Sequence, residues 1–192
     1  MDTEQLSFGR RIDPENNLVE CWFTHGALDE IKSMDLSDKV IVMYGGGLGD
    51  VWLASRCKEL HVIERNSDWL DKISTVAANS PVYNLFYHFR PMDDCTGRDK
   101  EYLAFPNNVN PDVIISDDAY RTEAVRMAID YFKGREGGGI LVCDNYYQDY
   151  VWRSPVVLEW LEPFEKHTHS QPDHKDFETD GGEWKTAIIF IK

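Results

Sequence analysis

The stretch with the clearest chemical potential is a glycine turn, Gly45-Gly46-Gly47-Leu48-Gly49, directly after the apolar run Lys39 to Tyr44 (KVIVMY). Glycine lets backbone come close to a ligand where any side chain would intervene. The next apolar run, Leu60 to Glu64 (LHVIE), ends on an acid. In a doubly wound sheet ligands sit beyond the carboxyl ends of the strands, where the winding reverses, and a carboxylate there can accept hydrogen bonds from both hydroxyls of a ribose. The turn and Glu64 together point to a nucleoside-containing cofactor; the plainer alternative is a tight turn beside a solvated strand end. A dinucleotide fingerprint requires G-x-G-x-x-G and fails in both registers, with Asp50 or Trp52 at the third position. A nicotinamide-dependent oxidoreductase is therefore the weaker reading.

Two more polar pairs follow apolar runs: Asp117-Asp118 after Asp112 to Ser116 (DVIIS), and Asp144-Asn145 after Ile140 to Cys143 (ILVC). Acids at strand ends either move protons for a bound acceptor or close the strands through local hydrogen bonds. Arg121 is expected to pair with Asp117 or Asp118 rather than to bind an acidic acceptor. Tyr146, Tyr147, Tyr150 and Trp152 either wall an acceptor pocket or pack on the sheet edge. His167, His169 and His174 lie in a polar segment, and their spacing suits an exposed hairpin better than a zinc site.

The elements that must position these groups follow from periodicity. Short runs rich in β-branched residues alternate with amphipathic segments, the pattern of a parallel sheet covered by helices. Strands are expected at 39–44, 60–64, 83–89, 112–116 and 140–143, a weak one at 165–170 and a strong one at 186–191. Helices are expected over 50–58, from an N-cap at Ser67 through Val76, around Ala124 to Phe132, and over 155–160, with a short turn around Tyr102 to Phe105 in the long connection before the fourth strand. The expected architecture is α/β: a three-layer doubly wound sheet of about seven strands, mostly parallel, with a C-terminal antiparallel strand closing a hairpin. It is read as one domain, with residues 1–36 an N-terminal helical cap and 37–192 the core.

The 34 Asp and Glu against 20 Lys and Arg leave a formal charge of −14. That balance repels phosphate backbones, so a small-molecule acceptor is expected and nucleic acid is not. Cys21, Cys57, Cys95 and Cys143 form no C-x-x-C pair, which fits reduced thiols in a cytoplasm. No apolar run approaches the roughly 20 residues of a membrane span, and no membrane partner is expected. A homodimer is compatible with the composition.

The order and spacing of the motifs resemble the class I S-adenosylmethionine-dependent methyltransferases, whose first motif has the G-x-G-x-G spacing. The likeness covers nearly the whole chain and is nearest to a subgroup of small bacterial-type enzymes of unassigned substrate. It is carried by Trp22-Phe23-Thr24-His25-Gly26-Ala27, Trp52-Leu53-Ala54, Ile63-Glu64 followed by Trp69, Asp117-Asp118-Ala119-Tyr120-Arg121, and Gly138-Gly139 followed by Asp144-Asn145. The resemblance implies that Gly45, Gly46 and Gly47 meet the methionine part of S-adenosylmethionine, that Glu64 holds its ribose and that Thr24 serves its carboxylate end. Tyr44, Arg65 and Asp117 complete the implied cofactor set. Met43 stands where many members carry an acid. Asp117, Asp144 and Asn145 are the implied catalytic group. They are similar to the oxygen ligands of metal-dependent catechol-type O-methyltransferases, although Tyr120 replaces the lysine base. A Mg²⁺ or Ca²⁺ ion is thus possible but not favoured, and O-methylation of the acceptor is slightly favoured. A protein that binds the cofactor without transferring its methyl is the alternative.

Overall fold

Apolar runs separated by amphipathic segments build a seven-stranded sheet with helices on both faces. The computed structural model describes residues 11–91, 102–118, 120–146, 155–172 and 183–192. In chain order these are α1 (His25–Ser33), β1 (Val40–Tyr44), α2 (Asp50–Ala54), β2 (Glu59–Glu64), α3 (Ser67–Ala78), β3 (Leu85–Phe89), α4 (Pro106–Val109), β4 (Val113–Ser116), α5 (Arg121–Lys133), β5 (Gly139–Asp144), α6 (Pro155–Leu161), β6 (Glu165–Pro172) and β7 (Glu183–Ile191). The strand order is β3-β2-β1-β4-β5-β7-β6. β1 to β5 pair in parallel, and β7 runs antiparallel to both β5 and β6.

The winding reverses between β1 and β4, which is where the glycine turn leaves the sheet. All five residues of β1 are buried, as a central strand covered on both faces must be. Alternate residues then feed two cores. Val42, Tyr44, Ile114, Leu141 and Cys143 face α5 and α6, whose Ala124, Val125, Ala128, Phe132, Val157 and Leu161 pack on them. Ile41, Met43, Val62, Ile115 and Val142 face α1 and α2. Burying each such side chain favours the fold by about 1.5–3 kcal/mol, so the sheet centre is the rigid platform and its carboxyl edge inherits that rigidity.

Several boundaries differ from the periodicity, with β3 starting at Leu85 and β7 at Glu183; three others have a local reason. α2 ends at Ala54, because Ser55 turns its hydroxyl back onto Trp52 O at 2.7 Å instead of continuing the helix. The cap of α3 is Asn66, not Ser67: the Asn66 side chain accepts from Trp69 N at 3.0 Å, and Ser67 is the first helical residue. β6 extends to Pro172, because β7 offers it a partner as far as Glu183. Among the described residues no helix is long and apolar enough to cross a membrane. Cys21, Cys57 and Cys143 are buried unpaired thiols; Cys95 lies outside the described residues.

The periodicity also missed the packing of the segment before α1. Its Ile12 and Val19 pair as an isolated antiparallel bridge. Asp13 accepts from the buried Trp52 indole at 2.8 Å, and a Cβ at Gly49 would stand 2.4 Å from Cys21 Cα. Only glycine lets this strap cross the turn.

Candidate functional site

The site is built outward from the end of β1. Gly45 has φ +86, and a Cβ there would lie 2.4 Å from Asp117 O, so the turn needs glycine twice over. A Cβ at Gly47, by contrast, would meet no atom closer than 4.0 Å. The chain approaches its neighbours at Gly45 and Gly49 and leaves open space at Gly47.

The amides of Gly45, Gly46 and Gly47 are engaged within the protein. Gly45 N donates to Ile63 O at 3.0 Å, Gly46 N to Glu64 Oε2 at 3.1 Å, and Gly47 N to Asp50 Oδ1 at 2.9 Å. With these three N–H groups occupied, none of them is free to cradle a phosphate. The turn can present carbonyl oxygen and uncovered backbone, which suit a cationic or apolar group instead.

Glu64 is 6 % exposed, and its carboxylate is turned toward the turn. Oε1 accepts from Arg65 N and Asn66 N, each at 2.8 Å, and Oε2 from Gly46 N. A carboxylate offers about four lone-pair sites. Three are occupied, and the one left on Oε2 can take a single hydroxyl directly; gripping both hydroxyls of a ribose would displace a backbone donor. Arg65 enters this arrangement through its backbone, its side chain being exposed.

Three residues that the motif reading did not assign to the site hold the turn from beneath. Trp69 Nε1 donates to Gly46 O at 2.7 Å. Asp50 is buried, and its Oδ2 accepts from Tyr87 OH at 3.1 Å. Burial, reinforced by Glu64 and Asp117, pushes the Asp50 carboxyl up to about 7. The sequence signal for Trp69 was its fixed distance from Glu64; Asp50 and Tyr87 sit on separate elements and gave none.

Across the winding reversal lies a second polar group. Arg121 Nη2 bonds Asp117 Oδ1 and Asn145 Oδ1, each at 2.7 Å, and its Nη1 donates to Asp118 O. Burial raises the Asp117 carboxyl to about 6 against the opposing pull of Arg121. Asn145 reaches this position from a left-handed backbone, φ 53, which Asn tolerates. Asp118 takes the Tyr102 hydroxyl and Tyr120 N, and thereby anchors the turn after β4.

Asp144 faces the other way. Its Oδ1 accepts from Trp184 Nε1 at 3.0 Å and from Thr186 Oγ1 at 2.7 Å. Burial and the nearby Asp117 hold it well above the usual carboxylate range. Thr24 joins this side: its N donates to Thr186 Oγ1 at 3.0 Å, while its own fully buried hydroxyl has no hydrogen-bond partner among the described residues. The Tyr44 side chain points into the α5-side core, and its hydroxyl donates to Leu103 O at 3.1 Å, so only its backbone reaches the turn.

Gly45, Gly46, Gly47, Glu64, the Arg65 backbone and the Asp117 carbonyl therefore meet at one place. Asp117 and Asn145 meet at Arg121, and Asp144 and Thr24 meet at Thr186. Among the described residues no three His, Cys, Asp or Glu side chains are disposed to hold a metal ion. His167 and His169 each contact Glu30 of α1 at 2.6 Å and dock that helix on β6. Tyr146 packs on the α5-side core; His174, Tyr147, Tyr150 and Trp152 lie outside the described residues.

No protein-family model and no curated protein matches this sequence. Solved structures share its fold. An rRNA methylase from Streptococcus thermophilus is 16% identical with a TM-score of 0.59, over 88% of this chain and 96% of that one. A Streptococcus mutans protein ascribed to the methyltransferases and carrying SAH is 12% identical, TM-score 0.57, over 86% and 96%. The N-methyltransferase NodS from Bradyrhizobium japonicum is 14% identical, TM-score 0.56, over 87% and 93%. The chain has the Rossmann-like fold of class I methyltransferases.

Proposed function

We propose that this protein is an S-adenosylmethionine-dependent methyltransferase that acts on a small-molecule acceptor, with an oxygen nucleophile slightly favoured. The observation that carries the reading is the state of the turn at the winding reversal. The amides of Gly45, Gly46 and Gly47 are occupied internally, the turn is open at Gly47, and Glu64 is turned toward it. A pyrophosphate would need those amides free; a sulfonium nucleoside needs only close backbone, carbonyl oxygen and a carboxylate.

The cofactor, when bound, supplies a methyl already activated for in-line displacement, so the protein's part is alignment and the handling of a proton. Gly45, Gly46 and Gly47 would hold the methionine end, with Tyr44 contributing backbone, and Thr24 would serve its carboxylate end from the Thr186 side. Glu64 would take one ribose hydroxyl on Oε2, with Arg65 at the rim. Asp117 suits proton removal from an acceptor hydroxyl, because a carboxyl raised to about 6 is ionised at neutral pH yet more basic than an exposed one. Asn145 helps to hold it through Arg121, and Asp144 would act through Thr186 on the Thr24 segment. A divalent ion on Asp117, Asp144 and Asn145 is disfavoured, since their oxygens already serve Arg121, Trp184 and Thr186. One structure of this fold is an rRNA methylase. The charge of −14 nevertheless argues for a small acceptor here, in a cytoplasmic setting.

Isothermal titration with S-adenosylhomocysteine tests the cofactor. The parent should bind, and Gly47→Ala should fold normally but bind at least about tenfold more weakly, one methyl filling the open position. Absence of heat from the parent at high ligand concentration would count decisively against the proposal. A second reading, binding without transfer, draws support from the Asp117–Arg121 ion pair, which engages the candidate base at 2.7 Å. Labelled methyl transfer from S-adenosylmethionine into a metabolite extract separates the two.

A further inference from the structure

Asp50 is the most costly residue of the site that neither the motif nor the proposed chemistry uses. A carboxylate buried to 1 % exposure on an apolar sheet face is unfavourable unless its oxygens are satisfied. Here both oxygens are committed to the surroundings of the glycine turn. Oδ1 takes Gly47 N at 2.9 Å and Oδ2 takes the Tyr87 hydroxyl at 3.1 Å, and a Cβ at Gly46 would lie 3.1 Å from that same Oδ2.

The sheet register explains why the acid comes from α2. Met43, Val62 and Tyr87 stand side by side across β1, β2 and β3 on the face toward α1 and α2. Met43 offers the turn no polar atom, and Tyr87, two strands away, brings a hydroxyl to the same row. Asp50 links that hydroxyl to the turn.

We propose that Asp50 is a positioning residue for the cofactor loop, its carboxylate fixing the Gly47 amide while Tyr87 fixes the carboxylate. The proposal rests on the cofactor reading given above. The amides of Gly45, Gly46 and Gly47 are then held by three different parts of the fold: Ile63 O within β2, Glu64 at its end, and Asp50 on α2. The groups facing Asp50 are Tyr87 from β3, Glu64 from β2, Asp117 from the turn after β4, and Cys21 from the N-terminal strap. Burial, with Glu64 and Asp117 adding to it, brings its titration to about 7. Below that value the carboxyl gains a proton and becomes a weaker acceptor for Gly47 N–H, so the hold on the loop slackens as the pH falls.

Trp69 gives a readout that needs no ligand, because its indole N–H bonds Gly46 O. Its NMR resonance, assigned by its loss in Trp69→Phe, should shift in one step near pH 7 in the parent and show no such step in Asp50→Asn. S-Adenosylhomocysteine should bind more weakly on acidification through that range in the parent only. Asp50→Ala should weaken binding at least about tenfold, the scale of the charge-assisted bond it removes from the loop, and Tyr87→Phe, which acts on the loop only through Asp50, about threefold. Should Asp50→Ala fail to fold, the near-isosteric Asn variant carries the test. Persistence of the Trp69 step in Asp50→Asn, or parent-like binding by the folded Ala variant, overturns the proposal. A parent that binds no S-adenosylhomocysteine would sink the cofactor reading, and the Trp69 titration would still decide the role of Asp50.

Discussion

Glu64 and Asp144 both close a central strand, and they are almost equally buried, at 6 % and 3 % exposure. Their partners are of opposite kinds. Glu64 binds backbone amides of residues 46, 65 and 66, so its half of the edge is stitched together by main chain. Asp144 binds the side chains of Trp184 and Thr186, while Asp117 and Asn145 are joined through the side chain of Arg121. One half of the edge is held by groups that every sequence possesses, the other by side chains that had to be chosen. On the proposed function, the main-chain half would take the cofactor and the side-chain half the acceptor.

The largest effect should come from the main-chain half. Glu64→Ala leaves three amides without their acceptor, at about 1–3 kcal/mol each where buried. A loss of roughly 3 kcal/mol or more in urea unfolding is expected, together with loss of S-adenosylhomocysteine heat. A folded Glu64→Ala protein that binds like the parent would erase the distinction between the halves. Next in size is Arg121→Ala, which strands Asp117 without its cation and should cost about 2 kcal/mol, less than a fully buried pair because Asp117 is partly exposed. Cofactor affinity should stay within about threefold if the halves are independent; joint failure of both would show them to be one network.

The smallest effect at neutral pH is expected of Asp144→Asn, under about 1 kcal/mol, because the amide keeps the shape and an acceptor for Thr186. Its signature lies in the pH dependence. The folded-state value of Asp144 is raised, by burial first and by Asp117 second. Its stabilising contribution is therefore fully present below the unfolded carboxylate value near about 4 and is lost as pH rises through the raised one. Melting temperature measured from acid to neutral pH should fall less steeply in the Asn variant. Asp50 and Asp117 titrate with the same sign as Asp144, so part of this falling component remains in the Asn variant.

Legibility in the sequence divides along the same line. The seven strands, the antiparallel ending, the glycine turn and Glu64 could all be read, because each depends on a run of residues or on a backbone demand that few residue types meet. Asn66 displaced Ser67 as the cap of α3 for want of any local signal to separate two neighbouring cap formers. Arg121 had two adjacent acids to choose from, and the fold gave it the Asp117 carboxylate, the Asp118 carbonyl and Asn145. Asp144 read as part of a catalytic trio, yet its carboxylate turns toward β7, since β7 places Thr186 directly opposite it.

What the chain determined by itself is the periodicity of its elements and the places where only glycine can stand, since sterics and hydrophobic patterning act over a few residues. What the tertiary structure decided is which polar groups meet. Asp50 lies 37 residues from Tyr87, Asp144 lies 42 from Thr186, and Arg121 lies 24 from Asn145. Such pairs are set by strand order and register, which exist only once the sheet has formed.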